Sequence, residues 1–293
     1  MSEPTVLREI APSARVASDA VLGPFCVIGP HVSIGARTRM SRRVTVAGHT
    51  TIGADNVFEE GCCIGEPPQD LKYAGGPTLL AIGDRNRFAR GATAHVGTEA
   101  GGGLTRIGND NILSEGSHVA HDCFLDDRVF LGRLVLLAGH VRVERGAVVE
   151  DFAAAHHFTT IGRYARVRPH TPLRRDAAPY TDFGSDIPHD QPASVRGIHE
   201  QGIRAAGLGA VEQADLRMAL RELFTDESAL QTKIEHLMNL GVDGQVARLC
   251  EFCQRSLHGL YGRHRETLRG KCPPEAAAYF SQHGMNEEGS AKQ

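Results

Sequence analysis

Residues 107–149, IGNDNILSEGSHVAHDCFLDDRVFLGRLVLLAGHVRVERGAVV, carry an apolar residue at every sixth position. The same period extends in both directions along the chain, with a shift of one residue before Ile107. Every member of the series is apolar: Ile10, Val16, Leu22, Ile28, Ile34, Met40, Val46, Ile52, Phe58, Ile64, Ile82, Phe88, Ala94, Ile107, Leu113, Val119, Leu125, Leu131, Leu137, Val143, Val149, Ala155, Ile161 and Val167. Because only 41% of the chain is apolar, composition alone does not produce such a run.

A period of six matches neither the 3.6-residue turn of an α-helix nor the two-residue alternation of a strand. It fits a short strand followed by a turn, and three such sides close one triangular coil. Coils of this kind stack about 4.7–4.9 Å apart through parallel strand pairing, as in hexapeptide β-helices. The chain is therefore predicted to be mainly β, with a parallel β-helix over its N-terminal two-thirds and a β-sandwich as the weaker alternative.

Glycine often follows the repeated apolar position, as at Gly23, Gly35 and Gly53, and asparagine stands four residues after it at Asn56 and Asn86. Both residue types tolerate a left-handed backbone. We therefore expect them to occupy the tight corners of the coils.

Two stretches interrupt the repeat, residues 66–81 and 97–106. Loops that leave a solenoid are frequent functional sites. After Pro179 the pattern becomes helical, with candidate segments at 197–213, 214–236 and 243–268. The predicted organisation is a β-helix domain over residues 1–190, an α-helical domain over 191–270 and a flexible polar tail over 271–293.

Composition narrows the classes of function. The net charge of −3 gives no reason to expect nucleic acid or an anionic membrane as a partner. The first ten residues, MSEPTVLREI, lack the apolar segment of a signal peptide, and no apolar stretch predicts a membrane span. The seven cysteines show no disulfide framework, which favours a reducing, cytoplasmic compartment.

Histidines recur along one edge of the predicted coils. Counting 18 residues per coil, Val119, Leu137 and Ala155 fall on the same side of three successive coils, and Ala94 joins them if the one-residue shift is a loop. Histidines accompany all four positions: His95, His118, His121, His140, His156 and His157. Imidazoles aligned at the coil spacing indicate a site rather than scattered structural histidines.

Several segments of the chain closely resemble the UDP-N-acetylglucosamine O-acyltransferase family. They are GPFCVIGPHVSIG (23–35), GHTTIGADN (48–56), IGEPPQDLKYAGGPT (64–78), GGGLTRIGNDNIL (101–113), SHVAHDC (117–123) and LAGHVRV (137–143). QDLKYAG and HVAHDC are specific to this family among hexapeptide acyltransferases. The resemblance implies a left-handed β-helix, a homotrimer, and transfer of a 3-hydroxyacyl group from acyl carrier protein to UDP-N-acetylglucosamine, the first step of lipid A synthesis, without a cofactor or metal.

The expected chemistry needs a general base, because a sugar hydroxyl is a poor nucleophile at neutral pH. His121 is the candidate. Its neighbour Asp122 is a candidate to orient the ring. Because adjacent residues on a strand face opposite ways, a backbone carbonyl is the alternative partner of the ring. The oxyanion needs hydrogen-bond donors, and the resemblance assigns this role to the backbone N–H of Gly139.

The resemblance also implies a set of binding residues. Asp70 and Lys72, with Gln69, belong to the motif on the first loop and are expected to bind the sugar and the diphosphate. Four histidines match pocket positions of the family and are expected to shape the sugar and acyl subsites: His95, His118, His140 and His156.

The chain departs from the family pattern at its nucleotide-binding end. His157 stands where relatives have glutamine and is expected to donate to a phosphate. Arg196 replaces a glutamate, and Glu200 and Gln201 replace a pair of arginines, so the signs at 196 and 200 are exchanged. Pro169 occupies the position of a glycine that caps the acyl pocket in many relatives. The sequence leaves open the length of the acyl chain and whether the acceptor group on the sugar is a 3-hydroxyl or a 3-amino group.

Five arginines cluster in the last coils and the exit strand: Arg163, Arg166, Arg168, Arg174 and Arg175. An acidic acyl carrier protein is the expected partner of this cluster, with a solvated charged surface as the alternative.

Two other functions stay open. A γ-carbonic-anhydrase-like hydratase would use His118, His121 and His140 as metal ligands, although QDLKYAG has no place in it. A non-catalytic paralogue, or one that uses another nucleotide sugar, would account for the altered nucleotide end.

Overall fold

The computed structural model describes residues 7–185, 193–225 and 229–283. Most of the chain forms short strands separated by two-residue turns. In chain order they are β1 (Glu9–Ile10), β2 (Arg15–Val16), β3 (Val21–Leu22), β4 (Val27–Ile28), β5 (Val32–Ile34), β6 (Arg39–Met40), β7 (Thr45–Val46), β8 (His49–Ile52), β9 (Val57–Phe58), β10 (Cys63–Glu66), β11 (Leu79–Ile82), β12 (Arg87–Phe88), β13 (Thr93–His95), β14 (Leu104–Ile107), β15 (Ile112–Leu113), β16 (His118–Val119), β17 (Phe124–Leu125), β18 (Phe130–Leu131), β19 (Leu136–Leu137), β20 (Arg142–Val143), β21 (Val148–Val149), β22 (Ala154–Ala155), β23 (Thr160–Ile161), β24 (Arg166–Val167), β25 (Pro172–Leu173), β26 (Thr181–Gly184) and β27 (Ser194–Ile198).

Each strand up to β22 pairs in parallel with the strand three places later, so three sheets form the sides of a β-helix. The first runs β1-β4-β7-β10-β13-β16-β19-β22-β25, the second runs β2-β5-β8-β11-β14-β17-β20-β23, and the third runs from β3 to β24 and then β26. Ala94 pairs with Val119, Leu137 with Val119, and Ala155 with Leu137. The parallel β-helix predicted from the period of six is therefore confirmed, and the one-residue shift is a loop.

The repeated apolar positions point into the coil, where almost all of them from Leu22 onward are buried in one continuous core. Phe58 and Phe88 stack one coil apart with ring centroids 4.6 Å from each other. Each buried side chain of this size stabilises the fold by about 1.5–3 kcal/mol.

The corner role predicted for Gly23, Gly35, Gly53, Asn56 and Asn86 is wrong, since none of them has a positive φ, although other glycines such as Gly61, with φ 74°, do lie at corners. The corners are mostly left-handed residues of other types, such as Arg37 with φ 55° and Asp55 with φ 60°. Gly35 instead lies against the next coil, where an added Cβ would come within 2.6 Å of the Gly53 backbone. Asn56 and Asn86 form a buried ladder, with the Asn86 amide nitrogen donating to the Asn56 amide oxygen at 3.0 Å. Close stacking of coils, rather than corner geometry, selects these residues.

Two loops leave the coils. The first connects β10 to β11, over residues 67–78, and the second connects β13 to β14, over residues 96–103. Both are shorter than predicted, because residues 79–81 and 104–106 pair with neighbouring coils. The second loop contains a short 3-10 helix, Glu99–Gly101.

A helical region follows the last coil. It contains α1 (Glu200–Ala205), α2 (Ala210–Phe224), α3 (Leu230–Asn239), α4 (Gly244–His258), a 3-10 turn (His264–Leu268) and α5 (Pro274–Gln282). The prediction of a helical domain from residue 191 is wrong at its start, because β27 (Ser194–Ile198) pairs antiparallel with β26. Among the described residues no helix is both long and apolar enough to cross a membrane.

The predicted flexible tail is wrong for residues 271–283. Helix α5 lies on the outside of the second sheet, where Ala276 and Phe280 pack against Leu104 and Phe124 in a separate buried cluster. We call residues 260–283 the C-terminal strap. The rest of the predicted tail, residues 284–293, lies outside the described residues.

Candidate active site

Two columns of side chains run along the corner between the first and second sheets. His121, Gly139 and His157 occupy the first residue of this corner in successive coils, and the residues that follow them form the second column: Asp122, His140 and Phe158. Backbone bonds hold the columns in register, since the His140 N–H donates to the His121 carbonyl at 3.0 Å and the Phe158 N–H donates to the Gly139 carbonyl at 3.3 Å. Three of the six histidines predicted to align, His121, His140 and His157, therefore lie in these columns.

His121 and Asp122 are hydrogen-bonded although they are adjacent in sequence. The His121 Nδ1 lies 2.8 Å from Asp122 Oδ2. This contact forms because Asp122 is a left-handed corner residue with φ 58°, not a strand residue whose side chain must face the opposite way. Since a carboxylate only accepts hydrogen bonds, Nδ1 carries the proton in neutral His121 and Nε2 keeps its lone pair.

The second loop holds the Asp122 carboxylate in place. The backbone N–H of Thr98 donates to Oδ1 at 2.9 Å, and the Thr98 hydroxyl donates to Oδ2 at 2.6 Å. Asp122 is completely buried. Gly101 lies directly on this carboxyl group, so an added Cβ would come within 2.1 Å of it. A buried carboxylate needs such donors to compensate for its lost hydration.

The second loop also holds the first. The Glu99 carboxylate accepts hydrogen bonds from the backbone N–H groups of Gly76, at 2.6 Å, and Ala74, at 3.4 Å. Asp70 and Lys72 lie on the first loop, where the Lys72 N–H donates to Asp70 Oδ1 at 2.9 Å. The position of this pair therefore depends on both loops.

Gly139 leaves room for the His121 ring. An added Cβ at Gly139 would lie 2.3 Å from His121 Cε1 and 2.6 Å from Nε2. Within the described part of the chain no acceptor is found for the Gly139 N–H, so this donor is free to bind a group next to Nε2.

A cavity of about 370 Å³ opens at this corner. The first loop, the two columns and the C-terminal strap all contribute to its wall. Predicted site residues on the wall are Asp70, Lys72, His121, Gly139, His140 and His157, and the unpredicted ones include Phe158, Arg269 and Gly270.

Five of the predicted binding residues do not line this cavity. Gln69 is exposed on the first loop. His95 Nδ1 donates to the Pro67 carbonyl at 2.8 Å, and His118 Nδ1 lies 2.7 Å from the Thr93 hydroxyl. Their rings form an edge-to-face pair behind the site, 5.0 Å apart. His156 is the fourth, since it contacts the side of the His157 ring.

Arg196 is the fifth. It lies on β27, and its Nε donates to the Gly184 carbonyl at 3.2 Å. Within one chain it is not brought to the cavity. Glu200, whose sign is exchanged with that of residue 196, forms an ion pair with Arg217 at 3.0 Å, and within the described residues it forms none with Arg196.

Burial keeps the inner histidines neutral. It is the largest cause that lowers the pKa of His118 to about 4, with the neighbouring His95 and His121 adding to it. Burial likewise lowers the pKa of His140 to about 4, against the opposing attraction of Asp122. The pKa of His157 is also lowered, first by burial and then by His156. Because His140 is neutral, it adds no positive charge next to His121 that would oppose protonation of the His121 ring.

His121, Asp122 and His140 offer ligand atoms within 4.8 Å of one another, which is a donor set that zinc accepts. His118, the third ligand of the hydratase alternative, is not among them. Asp122 Oδ2 already accepts bonds from His121 and Thr98, so a cation would have to displace both. The arrangement is better satisfied as a hydrogen-bonded pair than as a metal site.

Three of the five clustered arginines are already paired with carboxylates. Arg163 lies 3.7 Å from Glu144, Arg166 2.9 Å from Glu150, and Arg168 2.7 Å from Asp182. Arg174 and Arg175 are exposed. Docking of an acidic carrier protein stays a prediction, and these last two residues are its best support.

The structure and its relatives define the class of protein: an acyltransferase built on a left-handed β-helix with a helical C-terminal region. None of the protein-family models compared with the chain matches it, whereas several solved structures do. UDP-N-acetylglucosamine O-acyltransferase (LpxA) from Moraxella catarrhalis RH4 is 33% identical over 85% of this chain and 95% of that chain, with a TM-score of 0.77. LpxA from Acinetobacter baumannii is 31% identical over 91% of this chain and 98% of that chain, with the same TM-score.

LpxA from Bacteroides fragilis 9343, a UDP-N-acetylglucosamine acyltransferase, has a TM-score of 0.79 at 26% identity, over 87% of this chain and 97% of that chain. With relatives above 30% identity covered almost completely, the chain belongs to the UDP-N-acetylglucosamine acyltransferase family.

Proposed function

We propose that the protein transfers a 3-hydroxyacyl group from acyl carrier protein to the 3-hydroxyl of UDP-N-acetylglucosamine, the first step of lipid A synthesis. The observation that carries the proposal is the cavity in which His121, oriented by Asp122, faces the free N–H of Gly139. Family membership supplies the reaction class, and the geometry supplies the roles.

In the proposed mechanism His121 Nε2 takes the proton of the sugar hydroxyl as general base. The oxygen attacks the thioester carbonyl carbon, and the resulting oxyanion accepts a hydrogen bond from the Gly139 N–H. Collapse of the intermediate breaks the carbon–sulfur bond. The proton then passes from His121 to the departing thiolate, which regenerates the base. Asp122 stabilises the protonated ring during this sequence, as carboxylates do in other histidine-based sites.

Asp70 and Lys72 bind the acceptor in this proposal. The Asp70 carboxylate is suited to accept hydrogen bonds from sugar hydroxyl groups, and the Lys72 ammonium to bind a diphosphate oxygen. Both lie on the wall that faces the His121–Gly139 column. His157 lines the same cavity; its Nε2 accepts from the Arg269 guanidinium, which leaves the N–H of Nδ1 as its donor for a phosphate.

We also propose a homotrimer. Apolar side chains project from the corner between the third and first sheets: Leu134 is 50% exposed, Leu136 49% and Phe152 42%. Exposed apolar residues concentrated in one patch mark an association surface. This corner is separate from the one that carries the cavity.

A reducing compartment such as the cytoplasm agrees with the cysteines, none of which forms a disulfide among the described residues. Acyl carrier protein is the proposed partner in that compartment.

An acyl-transfer assay tests the function directly. Purified protein is given 3-hydroxyacyl carrier proteins of several chain lengths with UDP-N-acetylglucosamine or its 3-amino analogue. We expect an ester with the first sugar nucleotide. Product from the 3-amino analogue alone would change the acceptor, and product from neither would favour the non-catalytic paralogue. Bound zinc in the purified protein, together with no acyl transfer to either sugar nucleotide, would favour the hydratase alternative.

A further inference from the structure

The C-terminal strap places one guanidinium group on the wall of the cavity. Arg269 lies over the Phe158 ring, with Cζ 4.9 Å from the centroid. Its Nη2 lies 2.9 Å from His157 Nε2, and its Nε donates to Glu266 at 2.9 Å. Phe158 in turn stacks on His140, with ring centroids 4.2 Å apart and an angle of 3°. One continuous wall therefore runs from the His121–His140 pair to Arg269.

The ion-paired group that includes Arg269 is positive, and of the two charged residues of the first loop that line the cavity, Asp70 offsets Lys72. Glu266 is shared by two guanidinium groups, because Arg263 donates to it at 3.1 Å as well. One carboxylate between two arginines leaves a net charge of +1. Arg263 is almost completely buried, whereas the Arg269 side chain is 53% exposed, so the excess charge faces the cavity at Arg269. Lys72, on the first loop, lines the same space.

The segment that carries Arg269 is firmly attached. Before it, the Arg263 guanidinium donates to the Arg174 carbonyl at 2.8 Å, and the His264 N–H donates to the buried Asp176 at 3.0 Å. Beside it, the buried Arg265 forms an ion pair with Glu275 at 2.6 Å. Behind it, Gly102 of the second loop lies against Pro273. Arg269 is thus presented by a fixed segment rather than by a free chain end.

We propose that Arg269 binds a phosphate group of a substrate in this cavity, together with Lys72, and so determines specificity for that substrate. Nε and Nη2 of Arg269 are engaged by Glu266 and His157, whereas no partner for Nη1 is found among the described residues, so the N–H groups of Nη1 can donate to a phosphate oxygen in a charge-assisted hydrogen bond. The inference rests on the proposed function, in which two substrates carry phosphate: the diphosphate of the sugar nucleotide and the phosphopantetheine of the carrier protein.

Calorimetry with the full-length protein separates the two sources. The probes are UDP against uridine, pantetheine 4′-phosphate against pantetheine, and inorganic pyrophosphate. Arg269→Gln is expected to weaken binding of one phosphorylated probe about 10- to 150-fold, the range for loss of a charge-assisted contact, and to leave its unphosphorylated partner unchanged. The matched control is Arg128→Gln, an exposed corner arginine outside the cavity.

Glu266→Gln distinguishes binding from a structural role. This substitution breaks the ion pair between Glu266 and Arg269, as Arg269→Gln does, but it removes the negative charge and keeps the guanidinium. Phosphate binding should therefore become tighter. If Arg269 only holds the strap, both variants should weaken binding alike, and that outcome would overturn the inference.

Each remaining outcome decides one of the two proposals. A loss confined to UDP assigns Arg269 to the acceptor, and a loss confined to pantetheine 4′-phosphate assigns it to the donor. If the wild type binds neither, but binds pyrophosphate in an Arg269-dependent way, the proposed function fails and the phosphate site stands. If Arg269→Gln binds every probe as the wild type does, the function stands and the phosphate site is wrong.

Discussion

At the scale of single residues, the contact between His121 and Asp122 carries the chemistry. Replacing His121 by alanine should lower kcat by about 10²–10⁴, the usual contribution of a general base. The fold should be retained, because the ring lies outside the aliphatic core. Activity is measured as acyl transfer at saturating substrate, with thermal unfolding to show that the fold is retained. His258→Ala, an exposed histidine on α4, is the control and should behave as the wild type. A kcat within about threefold of the wild type would remove His121 from the role.

Asp122→Asn tests the orientation of the ring. The asparagine amide nitrogen can replace Oδ2 and donate to His121 Nδ1, which moves the ring proton to Nε2 and removes the base. We expect kcat to fall while the dissociation constant for the sugar nucleotide stays near that of the wild type. If binding of the sugar nucleotide weakens as much as kcat falls, Asp122 maintains the shape of the binding site and does not act by fixing the tautomer of His121.

Stability should depend on pH through the two buried histidines. An unfolded histidine has a pKa near 6.5, whereas His118 and His140 have pKa values of about 4 in the folded protein. Between these values the unfolded chain binds more protons, so stability is complete above pH 6.5 and decreases as the pH falls toward 4. Each histidine accounts for about 2–3 kcal/mol of this loss.

Thermal unfolding between pH 4 and 8 measures the effect. The double variant His118→Gln and His140→Gln should show a flatter dependence of Tm on pH, with His258→Gln as the control. A dependence that the double variant leaves unchanged would mean that other groups control acid sensitivity.

Sequence reasoning reached the site only in part, and the reasons are local. His121 and Gly139 could be placed because the period of six fixes which residues share a corner. Asp122 could not be placed with certainty, since its contact depends on a left-handed φ that its neighbours do not reveal. The sequence does not indicate Arg269, because it reaches the site from 112 residues away, or Phe158, because it lies outside the series with a period of six.

At the scale of elements, α5 connects the end of the chain to the site. Phe280 is buried against Leu104 and Phe124, and Gly103 of the second loop lies 3.8 Å from its ring edge, measured from an added Cβ. Phe280→Ala should cost the local structure about 3–5 kcal/mol. The second loop should then loosen and with it the donors to Asp122.

Hydrogen exchange in residues 97–104 measures this change, and acyl transfer should fall in parallel. His283→Ala, an exposed residue after the end of the same helix, is the control. Unchanged protection of the loop in Phe280→Ala would show that the coils alone fix its position.

The elements were predictable where one physical constraint repeats and not elsewhere. The coils must bury an aliphatic residue at each side, so their register follows from the period. Helix α5 was missed because the composition around it is polar, although Pro274 at its start and the pair Ala276 and Phe280, four residues apart, are typical of an amphipathic helix. The period of six does not indicate β27, because β27 pairs antiparallel with β26 and the sequence between these strands carries no repeat.

At the scale of the whole molecule, the exposed corner predicts the assembly. Leu134→Asp should convert a trimer into monomers, because a charge at the centre of an apolar contact loses its hydration on association. Sedimentation velocity at micromolar concentration measures the change, and acyl transfer should be lost with it if the site lies between copies. Val211→Asp, equally apolar in origin and exposed on α2, is the control. A wild type that sediments as an active monomer would contradict the assembly.

The long-range anchoring of the C-terminal strap has a consequence for synthesis. Successive coils pair residues about 18 apart, so they can form in order as the chain leaves the ribosome. The wall of the cavity cannot form in this order, because Arg269 contacts His157 across 112 residues. The strap that carries Arg269 is also attached late, since Glu275 contacts Arg142 across 133 residues. At about 5–20 residues per second, the arginine arrives roughly 6 to 22 seconds after the histidine. A nascent chain would therefore display stacked coils with His121 and Gly139 in register well before the strap could support the second loop and place Arg269 in the wall, and a chain terminated before residue 260 would remain in that state.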